Sequence, residues 1–143
     1  MEASKILIEK LKEFEGLRLE AYEDAAGVLT IGYGHTGKDV ERGDRISEYW
    51  AAELLKNDVG AVECQIRRLK VARTQGQFDT LVSFAFNLGI DRLQHSTLLK
   101  VIRQGGSRNQ ICKEFRRWVF AGGQRLRGLQ RRREWEAKRF FEN

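Results

Sequence analysis

The longest periodic stretch runs from Ser47 to about Leu69, where Leu54, Leu55, Val59, Val62, Ile66 and Leu69 recur at intervals of three, four and seven. That spacing is helical. At 1.5 Å per residue such a helix reaches roughly 30 Å or more, about the width of a small domain, so it predicts an element that bridges two lobes. Gly60 in its middle weakens it by about 1 kcal/mol relative to alanine.

The two sides of this helix read differently. Upstream, Ser4 to Phe14 places Ile6, Leu7, Leu11 and Phe14 at helical spacing, and Gly16 is a natural stop. From Leu17 to Tyr33 the period shortens to strand-like pieces, RLEAY and VLTIGY, joined by the turn-forming EDAAG. Gly37 to Arg45 is polar and reads as loop. Downstream, Thr74 with Gln77 and Ser107 with Gln110 match the capping-box spacing and mark two helix starts. The first, carrying Phe78, Leu81, Val82, Phe84, Ala85 and Phe86, is apolar almost all round and predicts the central helix of a second lobe, ended by Gly89. Helices near Ser96 to Arg103, Ser107 to Ala121 (closed by Gly122 and Gly123) and Leu129 to Phe141 complete the count. The expected fold class is α+β, mostly helical. One domain spans residues 1–143, with a sheet lobe at about 15–46, a linking helix at about 47–70, and a helical lobe at about 71–143 packed with helix 4–14.

A hydrophobic content of 41% suffices for an ordinary core. No apolar run approaches the roughly 18 residues of a membrane span. The first 14 residues carry alternating charges where a signal peptide would be apolar, so neither a membrane span nor an export signal is expected. A net charge of +6 favours polyanions, among them nucleic acid, anionic membranes and bacterial wall polymers, without choosing between them. Cys64 and Cys112 are too few for a disulfide framework and are expected to be reduced and half-buried. Two histidines and two scattered cysteines supply no metal-ligand set, so no metal and no cofactor is expected. The chain has no proline where average usage of about 5% would give about seven, a composition that suits an engineered sequence.

The clearest chemistry lies in Glu15 to Gly37. Glu15, Asp24 and Thr30 are separated by eight and then five residues, on a helix end, a turn and a strand. Cleaving a glycosidic bond takes one carboxylic acid to protonate the leaving oxygen and a second carboxylate on the opposite face. Glu15, at a helix C-terminus where the dipole opposes ionisation, suits the acid, and Asp24 in a solvated turn suits the ionised partner. GYGHTG (Gly32 to Gly37) formally matches the dinucleotide pattern G-x-G-x-x-G, but a polar loop follows it in place of a helix, so no helix N-terminus is available for a pyrophosphate. Its glycines serve a tight turn or a close approach to a ligand. Arg125, Arg127, Arg131, Arg132, Arg133 and Arg139 form the densest basic region, read for the most part as a solvated helix face. Trp50, Trp118 and Trp135 read as core or cleft-edge residues.

EGLRLEAYEDAAGVLTIGYGHTGKDV resembles the N-terminal signature of phage-type lysozymes, the endolysins that cut bacterial peptidoglycan, in which Glu-x8-Asp-x5-Thr overlaps T-x-G-x-G-H-T-G. FDTLVSFAFNLG, STLLKVI, FRRWVFAGG and GLQRRREWE resemble later blocks of the same family in the same order. The resemblance implies a lysozyme-like α+β fold, with Glu15 as general acid and Asp24 with Thr30 positioning the attacking water by an inverting mechanism. It further implies that Gly34 and Phe86 line the sugar site, that His35 pairs with Asp58 on the long helix, and that Arg131 supports Glu15. The implied partner is peptidoglycan, cut at the β-1,4 bond between N-acetylmuramic acid and N-acetylglucosamine by a monomer made in the host cytoplasm and released to the wall by a separate permeabilising protein. Two other functions compete. A basic helical nucleic-acid module has the charge but no recognised motif and no aromatic–basic interleaving. A lysozyme fold that binds wall without cutting it has the same sequence signature.

Overall fold

The computed structural model describes residues 1–143. Helix α1 (Lys5–Glu15) buries Leu7 and Leu11 completely, as its apolar spacing predicts, and ends where Gly16 takes a left-handed φ of 73° with its N–H on the Lys12 carbonyl. The long periodic stretch forms α2 (Glu48–Leu69), interrupted nowhere by Gly60. The chain packs as two units, Ile8–Ala61 and Met1–Leu7 with Val62–Asn143, so that the boundary falls inside α1 and α2.

The first unit holds an antiparallel sheet of β1 (Arg18–Glu23), β2 (Leu29–Gly32) and β3 (His35–Thr36), in that order. Tyr22 stands opposite Thr30 and Glu23 opposite Leu29, with an irregularity between Arg18 and Tyr22. Thr30 pairs onward with Thr36 and Ile31 with His35. The outer edge of β1 is covered by the segment around Arg45, through Ala21 N–H to the Asp44 carbonyl and Ile46 N–H to the Leu19 carbonyl, both 2.9 Å. Leu11, Ile31, Tyr33, Val40, Ala51, Leu55 and Val59 are the unit's buried apolar residues. The short β3 was not legible as a strand because only two residues pair.

In the second unit follow α3 (Gln75–Leu88), α4 (Ile90–Gln94), α5 (Thr97–Arg103), α6 (Arg108–Arg116), β4 (Phe120–Ala121), β5 (Gln124–Arg125) and α7 (Arg127–Arg139). Helix α3 is buried almost throughout and places Phe84 edge-on to Phe115 and to Trp118. Ser107 and Gln110 form the full reciprocal capping box of α6. At α3 only half of the box forms: the Thr74 hydroxyl accepts from Gln77 N–H, while the Gln77 side chain turns to Arg73 N–H.

Several expectations are corrected. Helix α6 stops at Arg116 rather than Ala121, because Gly122 and Gly123, both with positive φ, turn β4 back onto β5 as a two-residue hairpin. Helix α4 fills what the sequence left as connection. Cys64 is exposed, and only Cys112 is half-buried. Trp50, in the first turn of α2, is exposed. The arginine-rich helix is not a solvated face throughout: Arg132, Arg133 and Arg139 are buried, each against a carboxylate, whereas Arg125, Arg127 and Arg131 are exposed. No helix is long and apolar enough to cross a membrane.

Candidate active site

Glu15 is the last residue of α1, half-buried, and the left-handed Gly16 turns the chain away immediately after it. Gly34, in the turn between β2 and β3 with φ of 80°, comes so close that a Cβ added there would lie 3.0 Å from Glu15 Oε1. The glycine is therefore a requirement of close approach as well as of backbone conformation.

Asp24 follows β1 directly and organises the turn that leads into β2. Its Oδ1 accepts 2.9 Å hydrogen bonds from the N–H groups of Ala26 and Val28, its own N–H donates to the Val28 carbonyl, and Gly27 N–H closes on the Asp24 carbonyl. This is the side-chain mimic of a backbone turn for which Asp is suited. Thr30, buried on β2, donates its hydroxyl to the same Val28 carbonyl at 3.0 Å. The Val28 peptide thus ties Asp24 and Thr30 into one rigid piece. Two chemical consequences follow. Asp24 Oδ2 takes no hydrogen bond from the protein and faces solvent, and the Thr30 hydroxyl, its proton committed, is left as an acceptor.

His35 lies between two carboxylates. Its Nδ1 is 2.8 Å from Asp58 Oδ2 on α2, and its Nε2 is 3.1 Å from Asp39 Oδ2 in the following loop. Burial of the ring lowers its affinity for a proton, but hydrogen bonds and charge from Asp58 and Asp39 outweigh this and raise its pKa above 6.5. The same hydrogen bond holds the exposed Asp39 below the ordinary aspartate value. Asp39 and Val28 are the residues that sequence reasoning missed. The spacing His35 to Asp39 carried a faint signal, but a backbone peptide such as that of Val28 carries none.

Phe86, on α3, is half-buried, and Arg131, on α7, is exposed; both belong to the helical unit, and the other site residues belong to the sheet unit. No group of three or more His, Cys, Asp and Glu side chains is arranged to hold a metal ion.

The phage lysozyme family profile matches residues 12–136. An endolysin of Bacillus phage B103 is 43% identical over 99% of this chain and 54% of its own length, so the chain spans about half of that relative. A SAR-endolysin of Bacteriophage PS119 is 42% identical over 85% of this chain and 73% of its own. Among solved structures, the muramidase domain of SpmX from Asticaccaulis excentricus superposes with a TM-score of 0.89 at 33% identity, covering 99% of both chains. With a profile that spans the Asp24–Val28 turn and reaches α7, and relatives of this identity along nearly its whole length, the chain belongs to the phage lysozyme family.

Proposed function

We propose that this chain is a muramidase of the endolysin type, a glycoside hydrolase that cuts the β-1,4 bond between N-acetylmuramic acid and N-acetylglucosamine with inversion. Glu15 protonates the departing glycosidic oxygen, and Asp24 with Thr30 holds the water that attacks from the other face of the sugar. The observation that carries this reading is the division of labour around the Val28 carbonyl. A water seated between Asp24 Oδ2 and Thr30 Oγ1 can donate one proton to each, because both are acceptors there. Its lone pair is then directed at the anomeric carbon, and Asp24 takes the proton as the bond forms. Since Asp24 Oδ1 is fixed by two backbone N–H groups, the carboxylate keeps this orientation at no further entropic cost.

In this reading Gly34 and Phe86 line the sugar site, the His35–Asp58 pair stiffens the sheet against α2, and Arg131 supports Glu15 from the helical unit. The names of the relatives, endolysin and SAR-endolysin, accord with action at the bacterial wall.

Two measurements test the proposal. Glu15→Gln should bind peptidoglycan and clear permeabilised cells roughly 10²–10⁴-fold more slowly than wild type, the range for loss of a general acid. Wild type that binds wall without clearing it would show a binding module instead. In proton NMR of the first turnover, inversion should give the α-anomer at the new reducing end. A β-anomer would place Asp24 as a nucleophile and defeat the water-holding role.

A further inference from the structure

The helical unit carries a hollow of its own, which shares no residue with the candidate site. It opens where the chain leaves the C-terminal ends of α2, α5 and α7, and its volume of about 500 Å³ lies within the range of small-molecule sites. Ile111 and Phe140 form a buried floor, and Leu69, Val71, Ile102 and Phe141 are half-buried around it. The mouth is different in kind. Lys70, Arg73 and Arg103 are all exposed there, none of them in an ion pair, and no aspartate or glutamate lines the hollow. Glu142, next in sequence to Phe141, is held by Arg139 at 3.2 Å.

Two local details make the mouth a place for an anion. The Gln77 carboxamide oxygen accepts from Arg73 N–H at 2.9 Å, which leaves the amide N–H groups of Gln77 as donors beside the arginines. Lys70 closes α2 in the left-handed region, with φ of 54°, a helix-end position that glycine usually takes. A strained backbone at the edge of a cavity, carrying a charge that glycine would lack, fits a binding site. The floor selects the rest of the ligand. Inorganic phosphate or a sugar would leave the apolar surface of Phe140, Phe141 and Ile102 uncovered, whereas a hydrocarbon chain covers it. A bilayer lipid presents its head first. Here the apolar surface is deep and the cations are outermost, so the occupant enters tail first and is a single free chain.

We propose that this hollow binds a fatty carboxylate, its hydrocarbon tail on the floor formed by Ile111 and Phe140 and its carboxylate held at the mouth by Arg73, Arg103 and Lys70. Arginine suits the task because its planar fork matches a carboxylate with two parallel hydrogen bonds. The inference stands independently of the hydrolase reading.

Decanoate, below its micelle-forming concentration, is the probe. Calorimetric titration of the whole chain should give one site with a Kd below about 1 mM. In ¹H–¹⁵N spectra the amides of Gly105, Gly106 and Gln77, which line the hollow, should shift with the same Kd. Shortening the chain to octanoate should weaken binding about fourfold for each methylene removed. The double variant Arg73→Gln with Arg103→Gln removes two exposed, unpaired charges, so it should fold normally and bind about tenfold more weakly. Decyltrimethylammonium, with the same tail and the opposite charge, should leave these amides unmoved. No saturable binding up to about 10 mM overturns the proposal, as does binding with many sites that the double variant leaves intact, the mark of a basic surface collecting detergent. Equal shifts with inorganic phosphate would show an anion site without an apolar part. Shifts of these amides with phosphatidylglycerol vesicles but not with decanoate would show a membrane contact instead. Either result overturns it.

Discussion

Replacing Arg133 by methionine removes a charge from the interior of the helical unit while nearly keeping the volume. Arg133 is fully buried; its Nε lies 2.8 Å from Glu136 Oε1, in an ion contact too bent to be a good hydrogen bond, and its Nη2 donates to Asn87 Oδ1 at 2.9 Å. Its guanidinium also stacks 5.1 Å from the Phe84 centroid. Removing one partner of a buried pair costs about 3–5 kcal/mol because the other charge is left uncompensated. Here the low end applies, about 3 kcal/mol, since Glu136 keeps the Ser83 hydroxyl at 2.6 Å and Arg132 at 3.6 Å. For a chain of this size that corresponds to a fall in Tm of roughly 6–12 °C. The sign with pH is also fixed. Burial already raises the Glu136 pKa above the ordinary value, against the pull of Arg133 and Arg132, and losing Arg133 raises it further. A folded-state carboxyl with a raised pKa holds its proton longer than the unfolded chain does, so stability is kept at low pH and lost as pH rises through the window above 4.5. Urea unfolding at pH 4 and pH 7 should therefore show a larger loss at pH 7. Adding Glu136→Gln should return more than about 1 kcal/mol of it, a coupling measurable in the double-mutant cycle. A pH-independent loss, or additive effects of the two substitutions, would refute the claim that an unpaired carboxylate causes the damage.

Asp58→Asn tests the His35 clamp. The raised His35 pKa means the ion pair is present below about 6.5 and lost as pH climbs past the folded value, so the substitution should cost about 2 kcal/mol at pH 5 and little at pH 9 in urea unfolding; equal losses at both would sink the assignment. Gly34→Ala should lower kcat about tenfold with a smaller change in KM, since its Cβ would press on Glu15 Oε1 from 3.0 Å and the left-handed backbone would cost about 1–2 kcal/mol besides. Steady-state kinetics on purified peptidoglycan decide it, and a pure KM effect would place Gly34 in sugar binding without influence on the acid.

Much of the fold was legible because its elements carry local signals. Helices α1, α2 and α3 follow from apolar spacing, and the starts of α3 and α6 from the hydroxyls of Thr74 and Ser107, which the structure finds capping Gln77 and Gln110 N–H. What escaped was set by pairing rather than by composition. The hairpin Phe120–Arg125 is strand only because Gly122 and Gly123 fold two residues onto two others, and with both strands exposed no alternation of apolar and polar residues announced it.

The same distinction separates the proposed catalytic turn from the buried arginines. Glu15, Asp24 and Thr30 lie within sixteen residues, and the Val28 peptide that joins two of them is a near neighbour of both, so the candidate site is encoded in one continuous stretch. Arg133 and Arg139 are another matter: in RRREWEAKR nothing says which arginine faces water. The answer lies on α3, some fifty or sixty residues away: Asn87 and Asp79 supply acceptors for Arg133 and Arg139, and the Ser83 hydroxyl donates to Glu136, the carboxylate beside Arg133. A charge run is read as solvated because burying unpaired charge is so costly. It fails as a rule where a distant helix presents matching acceptors, and α3 does so through the Asp79 carboxylate, the Asn87 amide oxygen and the Ser83 backbone carbonyl.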